Sequence, residues 1–504
     1  MGSVLVVDFG SQYTHLIARR IRQLNVFSEV MDASSVNKDD LNFDAVILSG
    51  GPSSVYDSSA PKNDGLLDTL IERGIPTLGI CYGMHLLVHY MGGKVSRGNK
   101  EYGISIMKTM QDPIFEGLEG DQKVWMSHGD SLEGIPDNFE VIATSDRAPA
   151  AIRHKTGKIY AFQFHPEVNH TENGIKILDN FLRLHKIERD WKIDDFIESS
   201  LIEIKREIGD EKAIIALSGG VDSSVCATLT AKALGKNLYA VFVDHGLLRK
   251  GEREFVRDKF QDLLNLKIVD AKDRFFKKLE GVVDPETKRK IIGNEFIRVF
   301  EDEAKLIGAK YLVQGTIYPD VIESGSTKNS DVIKSHHNVG GLPEDLDFKR
   351  IVEPLRDLYK DEVRILGKKM GMPDEIVFQH PFPGPGLAVR ITGPVNDVNI
   401  DIVREASYIL DEELKQAGYY DQVWQSFAVL FEDRVVGVVG DQRKYGRFVG
   451  LRVVQSIDAM TANFVELPWD LIERISTRIT NELEDVVAVS YFVSHKPPQT
   501  IEPC

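Results

Sequence analysis

Cys81 stands in Gly79-Ile80-Cys81-Tyr82-Gly83, between an apolar strand-like run and a helix-like segment. A thiol on such an elbow sits at a helix N-terminus, where the dipole and free N–H groups lower its pKa and favour the nucleophilic thiolate. A thiolate of this kind needs a base. His165, in His165-Pro166-Glu167, is the candidate: it follows a strand and has a carboxylate two residues on to orient its imidazole. Donors for an oxyanion come from Ser49-Gly50-Gly51-Pro52, where no side chain blocks approach to the backbone. Alone, each piece reads as a core cysteine or a turn. In this order, they read as a nucleophilic triad of Cys81, His165 and Glu167.

A second constellation is Ser218-Gly219-Gly220-Val221-Asp222-Ser223-Ser224, between the strand-like Ala213–Leu217 and a helix. Backbone N–H groups and the helix dipole bind phosphate at such a position. The segment has no G-x-x-x-x-G-K-[ST] pattern and no loop lysine, so it is not a γ-phosphoryl transfer loop. Small hydroxyls and glycines suit a closely wrapped pyrophosphate, and the Asp222 carboxylate suits Mg²⁺. Cleavage between the α and β phosphates is the implied chemistry.

Two further segments are dense in polar groups: Tyr318-Pro319-Asp320-Val321-Ile322-Glu323-Ser324 and Ile333-Lys334-Ser335-His336-His337-Asn338-Val339-Gly340-Gly341. They read equally well as solvated loops or as a lid whose Lys334, His336 and His337 stabilise charge at a reacting oxygen.

The elements that must position these groups alternate along the chain. Val4–Val7, a helix over His15–Leu24, Ala45–Leu48, a helix over Leu66–Arg73 and Thr77–Ile80 predict a parallel α/β domain. Ala150–Arg153 and Ile159–Phe164 add strands, and a helix over Asn173–Leu184 precedes the highly charged Lys186–Asp195. A second series follows: Ala213–Leu217, a helix over Ser223–Leu234, Leu238–Val243 and Tyr311–Gln314. After the Pro/Gly cluster His380–Gly386 come a helix near Asp401–Gln416, runs at Phe427–Leu430, Val435–Val439 and Phe448–Val454, a helix over Asp470–Glu482, and a strand at Val486–Val493. The expected fold class is α/β, with two doubly wound parallel-sheet domains (1–188 and 189–380) and a small C-terminal α+β domain (381–504).

A formal charge of -16 excludes broad binding to nucleic acid or anionic membrane. No apolar run approaches the roughly 18 residues of a membrane span, and the first residues lack a basic signal-peptide region. Cys81, Cys226 and Cys504 form no C-x-x-C pair and suggest neither a disulfide framework nor zinc. A reducing cytoplasm is the expected location.

Ser-Gly-Gly-Pro, Gly-Ile-Cys-Tyr-Gly-Met and His-Pro-Glu-Val, in that order, resemble class I glutamine amidotransferases over residues 1 to about 188. The resemblance implies that Cys81 forms a γ-glutamyl thioester, with His165 as base and then acid and Glu167 orienting it. It further implies that Gly51 and Tyr82 supply oxyanion N–H groups and that Asp130, in Ser127-His128-Gly129-Asp130, holds the glutamine ammonium. His85 departs from the family, which usually has Gln there; it is expected to substitute as a donor near the pocket.

The loop Ser218–Ser224 and Val241-Phe242-Val243-Asp244-His245-Gly246 are similar to N-type ATP pyrophosphatases, which implies adenine near Val243 and the same nucleotide near Gly315. The Tyr318 and Ile333 segments, His380–Leu387, Gly440–Gly446 and Lys496–Glu502 resemble GMP synthetases, so the resemblance spans the chain. That family implies a lid carrying Asp320, Glu323, Lys334, His336 and His337. It implies XMP held by Gly384, Lys496, Thr500 and Glu502 with help from Arg452, ATP with Mg²⁺ at Asp222, glutamine as nitrogen donor, and a homodimer made by the C-terminal domain. This chain ends Pro503-Cys504, where the family commonly has an acidic residue after an aromatic one. The rival readings are a glutaminase-fused NAD synthetase and a catalytically silent nucleotide-binding regulator.

Overall fold

The computed structural model describes residues 2–37, 41–323, 348–456 and 462–503. The chain divides into two compact units, one running to Asp195 and the other beginning at Phe196.

In the first unit, strands β1 (Ser3–Asp8), β2 (Phe27–Asp32), β3 (Ala45–Leu48), β4 (Thr77–Ile80), β5 (Lys94–Thr109), β6 (Gln122–Gly134), β7 (Phe139–Thr144), β8 (Pro149–His154) and β9 (Ile159–Phe162) form one sheet in the order β2-β1-β3-β4-β9-β8-β7-β5-β6. β2, β1, β3, β4 and β9 run parallel, and β8, β7, β5 and β6 extend the sheet antiparallel. The central parallel strands β3 and β4 are buried throughout, as strands covered on both faces are, whereas the edge strand β2 is half polar. The long β5–β6 hairpin went unpredicted, since its polar residues interrupt the alternation that marks a strand.

In the second unit, β10 (Ala213–Ala216), β11 (Leu238–Asp244), β12 (Asn265–Asp270), β13 (Tyr311–Val313) and β14 (Arg350–Val352) form an all-parallel sheet in the order β12-β11-β10-β13-β14. The helix Pro285–Ile307 starts where the Asp284 side chain accepts from the Thr287 N–H and ends at left-handed Gly308. The same unit holds a second sheet of β15 (Gln425–Val439), β16 (Gln442–Gln455), β17 (Asn463–Phe464) and β18 (Val486–Tyr491). The runs Phe427–Leu430 and Val435–Val439, expected as separate strands, are one strand with an irregularity between Phe431 and Arg434, where two acidic residues break the apolar pattern. A single apolar core joins Ile214 and Val241 to Val403, Val449 and Ile475. A helix over Ile193–Ile208 begins inside the charged Lys186–Asp195 stretch.

Candidate active sites

In the first unit, three loops leave the same ends of adjacent parallel strands: Ser49–Pro52 after β3, Cys81 after β4 and His165 after β9. Such strand ends are where α/β sheets place their ligands. Cys81 takes φ 51 and ψ -103, a left-handed conformation unusual for a side-chain-bearing residue. Its N–H donates to the Phe162 carbonyl at 2.7 Å, and the Gly83 N–H donates to the Ser49 carbonyl at 3.0 Å, tying the elbow to both neighbours. Position 83 admits only glycine, because a Cβ there would overlap the Leu48 carbonyl. The Cys81 thiol faces the Ser127 carbonyl at 3.6 Å.

His165 is buried, with Nδ1 2.7 Å from Glu167 Oε1. Its backbone is fixed by its own N–H donating to the Trp125 carbonyl and its carbonyl accepting from Thr171 Oγ1. Burial opposes a charge on this ring, but the Glu167 carboxylate and the hydrogen bond with Cys81 outweigh it and hold the pKa well above the ordinary histidine value. The His165 ring therefore holds a proton more readily than an ordinary buried imidazole, beside the Cys81 thiol. Gly51 packs against the Tyr82 ring, and Gly50 lies beside His165.

Asp130 is held at two points: its Oδ2 accepts from Ser54 Oγ at 2.5 Å, and its carbonyl accepts from His128 Nδ1 at 2.8 Å. His85, one turn after Cys81, is 3% exposed and pairs through Nε2 with Gln163 Oε1 at 2.8 Å. Burial brings its pKa down to about 4, against the opposing hydrogen bond to Gln163, so the ring is neutral and donates to that oxygen. Ser54, His128 and Gln163 carry no signal as single residues in sequence; only the fold brings them to the site.

In the second unit, Ser218–Ser224 joins β10 to the helix Val221–Leu234. Gly219 has φ +81, which leaves the turn to glycine. Ser218 Oγ and Ser223 Oγ are 2.9 Å apart, and Ser223 Oγ donates to the Gly220 carbonyl at 3.1 Å, so the hydroxyls brace the loop. Val243 is the penultimate residue of the neighbouring β11, and Gly315, after β13, packs on the backbone of Asp222 and Ser223. Lys360 Nζ lies 2.5 Å from Asp222 Oδ2, while Asp222 Oδ1 is buried without a hydrogen-bond partner. Lys360 was missed in sequence because Tyr359-Lys360-Asp361-Glu362 reads as an ordinary helix start.

Asp320 Oδ2 accepts from the Ile317 N–H at 3.0 Å, and Glu323 is the last residue of its short helix. Lys334, His336 and His337 lie outside the described residues. Further along, Glu502 accepts from Arg390 Nε and Nη2 at 3.1 and 3.0 Å and from Gln425 Nε2 at 3.1 Å. Thr500 Oγ1 donates to the Glu502 carbonyl, and the Lys496 backbone pairs with Ala462. Arg452 is fully buried and donates to the carbonyls of Ser494 at 2.5 Å and Thr500 at 3.4 Å. Gly384 lies in the turn before the short helix Gly386–Arg390. Arg249 donates to the carbonyls of His380 and Pro381 and lies over the Phe382 ring at 4.5 Å.

Residues 5–184 match the class-I glutamine amidotransferase family, residues 192–266 the NAD synthase family, and residues 412–503 the GMP synthase C-terminal domain. A glutaminase-type domain joined to an adenylating ATP pyrophosphatase-type domain defines an ATP-dependent carbon–nitrogen ligase with glutamine as amide donor. Along its whole length the chain is 53% identical over 504 residues to a glutamine-hydrolysing GMP synthase of Thermotoga maritima, with 99% of each chain covered. It is 52% identical over 507 residues to that of Aquifex aeolicus, again with 99% of each covered. The chain belongs to the glutamine-hydrolysing GMP synthase family.

Proposed function

We propose that this chain aminates XMP to GMP, with ammonia cut from glutamine at Cys81 and ATP consumed at the Ser218–Ser224 loop. In the first half-reaction the Cys81 thiolate attacks the glutamine carboxamide carbon. Gly51 and Tyr82 N–H groups take the developing oxyanion, and His165, steadied by Glu167, gives its proton to the departing ammonia. His165 then takes a proton from water, which hydrolyses the thioester to glutamate and restores Cys81. Asp130 receives the substrate ammonium.

In the second half-reaction the purine C2 oxygen attacks the α-phosphorus of ATP, and pyrophosphate leaves from the Ser218–Ser224 loop. Ammonia then displaces AMP at C2, because an amide-like oxygen leaves only once esterified. Lys360, paired with Asp222 beside the loop, is assigned to the departing phosphates, and Val243 and Gly315 to the border of the nucleotide. The partnerless buried oxygen of Asp222 fits a hard divalent cation, and Mg²⁺ held there and by the phosphates would neutralise charge on the pyrophosphate. Asp320, Glu323, Lys334, His336 and His337 are assigned to a lid over the adenylated oxygen. Gly384, Lys496, Thr500 and Glu502 are assigned to XMP. Arg452 serves that site through the 494–500 segment whose carbonyls it holds. The protein is cytoplasmic and dimeric through its C-terminal segment; among the described residues, no helix is long and apolar enough to cross a membrane.

The observation that carries this reading is the buried His165–Glu167 pair beside Cys81 in a chain that also holds an adenylating loop. The test supplies ATP, Mg²⁺ and glutamine: XMP should yield AMP and GMP, and deamido-NAD should not. The opposite substrate preference would overturn the assignment.

A further inference from the structure

Ser54 lies in the segment that follows the oxyanion loop, and nothing in the glutaminase chemistry calls for a hydroxyl there. Its Oγ nevertheless donates to Asp130 Oδ2 at 2.5 Å, from a position 76 residues away in sequence. Ser54 is 8% exposed and rigidly placed: its N–H donates to Asp57 Oδ2 at 2.9 Å, and its carbonyl accepts from the Asp57 N–H at 3.0 Å. Asp57 is itself ion-paired with Arg97. On the other side, His128 Nδ1 donates to the Asp130 carbonyl, and His128 is buried with Nε2 3.5 Å from Glu101 Oε2. A segment distant in sequence therefore holds the Asp130 side chain, while His128, two residues before it on the same strand, holds its backbone.

We propose that Ser54 is a positioning residue for glutamine, fixing the Asp130 carboxylate in register with the oxyanion loop that carries Gly51. This rests on the reading of Asp130 as the group that receives the substrate ammonium. A carboxylate has about four lone-pair sites, so one hydroxyl donor fixes its orientation and leaves sites for an ammonium. Because Ser54 and Gly51 lie on one short segment, the carboxylate that takes the ammonium and the N–H that takes the oxyanion keep a constant separation. The enzyme then measures the distance between the two ends of glutamine.

Glutamine-dependent and ammonium-dependent GMP formation should be compared in Ser54→Ala, Ser54→Thr, Asp130→Asn and Ser54→Ala/Asp130→Asn, with the ammonium reaction reporting folding. Ser54→Ala should raise KM for glutamine on the order of tenfold, the scale of a hydrogen bond to a charged group, with a much smaller change in kcat. Ser54→Thr should restore KM, and the double variant should bind glutamine no worse than Asp130→Asn. A wild-type KM in Ser54→Ala, or additive effects in the double variant, overturns the role of Ser54. A wild-type KM in Asp130→Asn instead overturns the ammonium assignment beneath it.

Discussion

Lys360 and Asp222 are 138 residues apart in sequence, yet their side chains meet at 2.5 Å beside the phosphate loop. One Asp222 oxygen is thereby spoken for by a cation, and the other is buried without a partner. On the proposed assignment this site gains several negative charges when ATP arrives, and Lys360 would follow the phosphates while Asp222 would turn to a divalent ion. Lys360→Met should cut AMP formation from XMP and ATP on the order of a hundredfold with either nitrogen donor, as loss of one preorganised charge typically does. Glutamine hydrolysis measured alone should survive. Pyrophosphate release at the wild-type rate would remove Lys360 from the site.

Glu167 is what makes His165 basic. Burial alone would lower the imidazole pKa, and the Glu167 charge together with the Cys81 contact raises it. Glu167→Gln should therefore let burial win, bring the His165 pKa down, and lower glutaminase kcat on the order of 10² to 10⁴-fold. Cys81→Ala should abolish glutamine use outright. Both variants should still make GMP from ammonium, and loss of the ammonium reaction in either would argue that the first site is needed for more than supplying nitrogen.

His85 gives the acid side of the stability curve a specific cause. Its pKa is about 4 in the fold against 6.5 in the unfolded chain. Between those values the unfolded chain binds a proton that the folded chain refuses. Its contribution is thus fully present above pH 6.5 and drains away as pH falls toward 4. His245 and His380 are lowered to about 4 by the same burial and add to the slope. His85→Gln should flatten that limb in melting temperature measured from pH 7.5 to 4.5. Because Gln is what the amidotransferase resemblance implies at this position, glutamine KM should stay within about threefold, inside the cost of a tolerated swap. An unchanged acid limb would remove His85 from the account.

What could be read from residues alone follows a physical rule. The Cys81 elbow and the Ser218–Ser224 loop each lie within a few consecutive residues, where glycine and small hydroxyls are dictated by backbone conformation and close approach. The fully apolar runs of β3 and β10 likewise announce strands covered on both faces. Lys360–Asp222, Ser54–Asp130 and His85–Gln163 are contacts between segments that topology alone brings together, and a lysine opening an amphipathic helix looks the same whether or not a phosphate site lies above it. Arg452 shows the converse. A basic residue among nucleotide-binding motifs invites a phosphate partner, but its guanidinium is spent on the carbonyls of Ser494 and Thr500.

The far end of the β15–β16 hairpin carries an apolar face that a solitary chain leaves in water. Val436, Val438 and Tyr445 are 51%, 75% and 58% exposed, and Val436 stands directly across from Tyr445 in the ladder. A β-branched and aromatic cross-strand pair stabilises a two-stranded arm, but its outward side is costly unless another surface covers it. Homodimerisation through the C-terminal segment would provide that cover. Val438→Lys places a charge in the middle of the face and should shift the protein from dimer to monomer in sedimentation at micromolar concentration, weakening association at least tenfold. The hairpin backbone pairs independently of that side chain, so the substitution should leave the far-ultraviolet circular dichroism of the chain unchanged. A Val438→Lys protein that still sediments as a dimer would place the interface elsewhere.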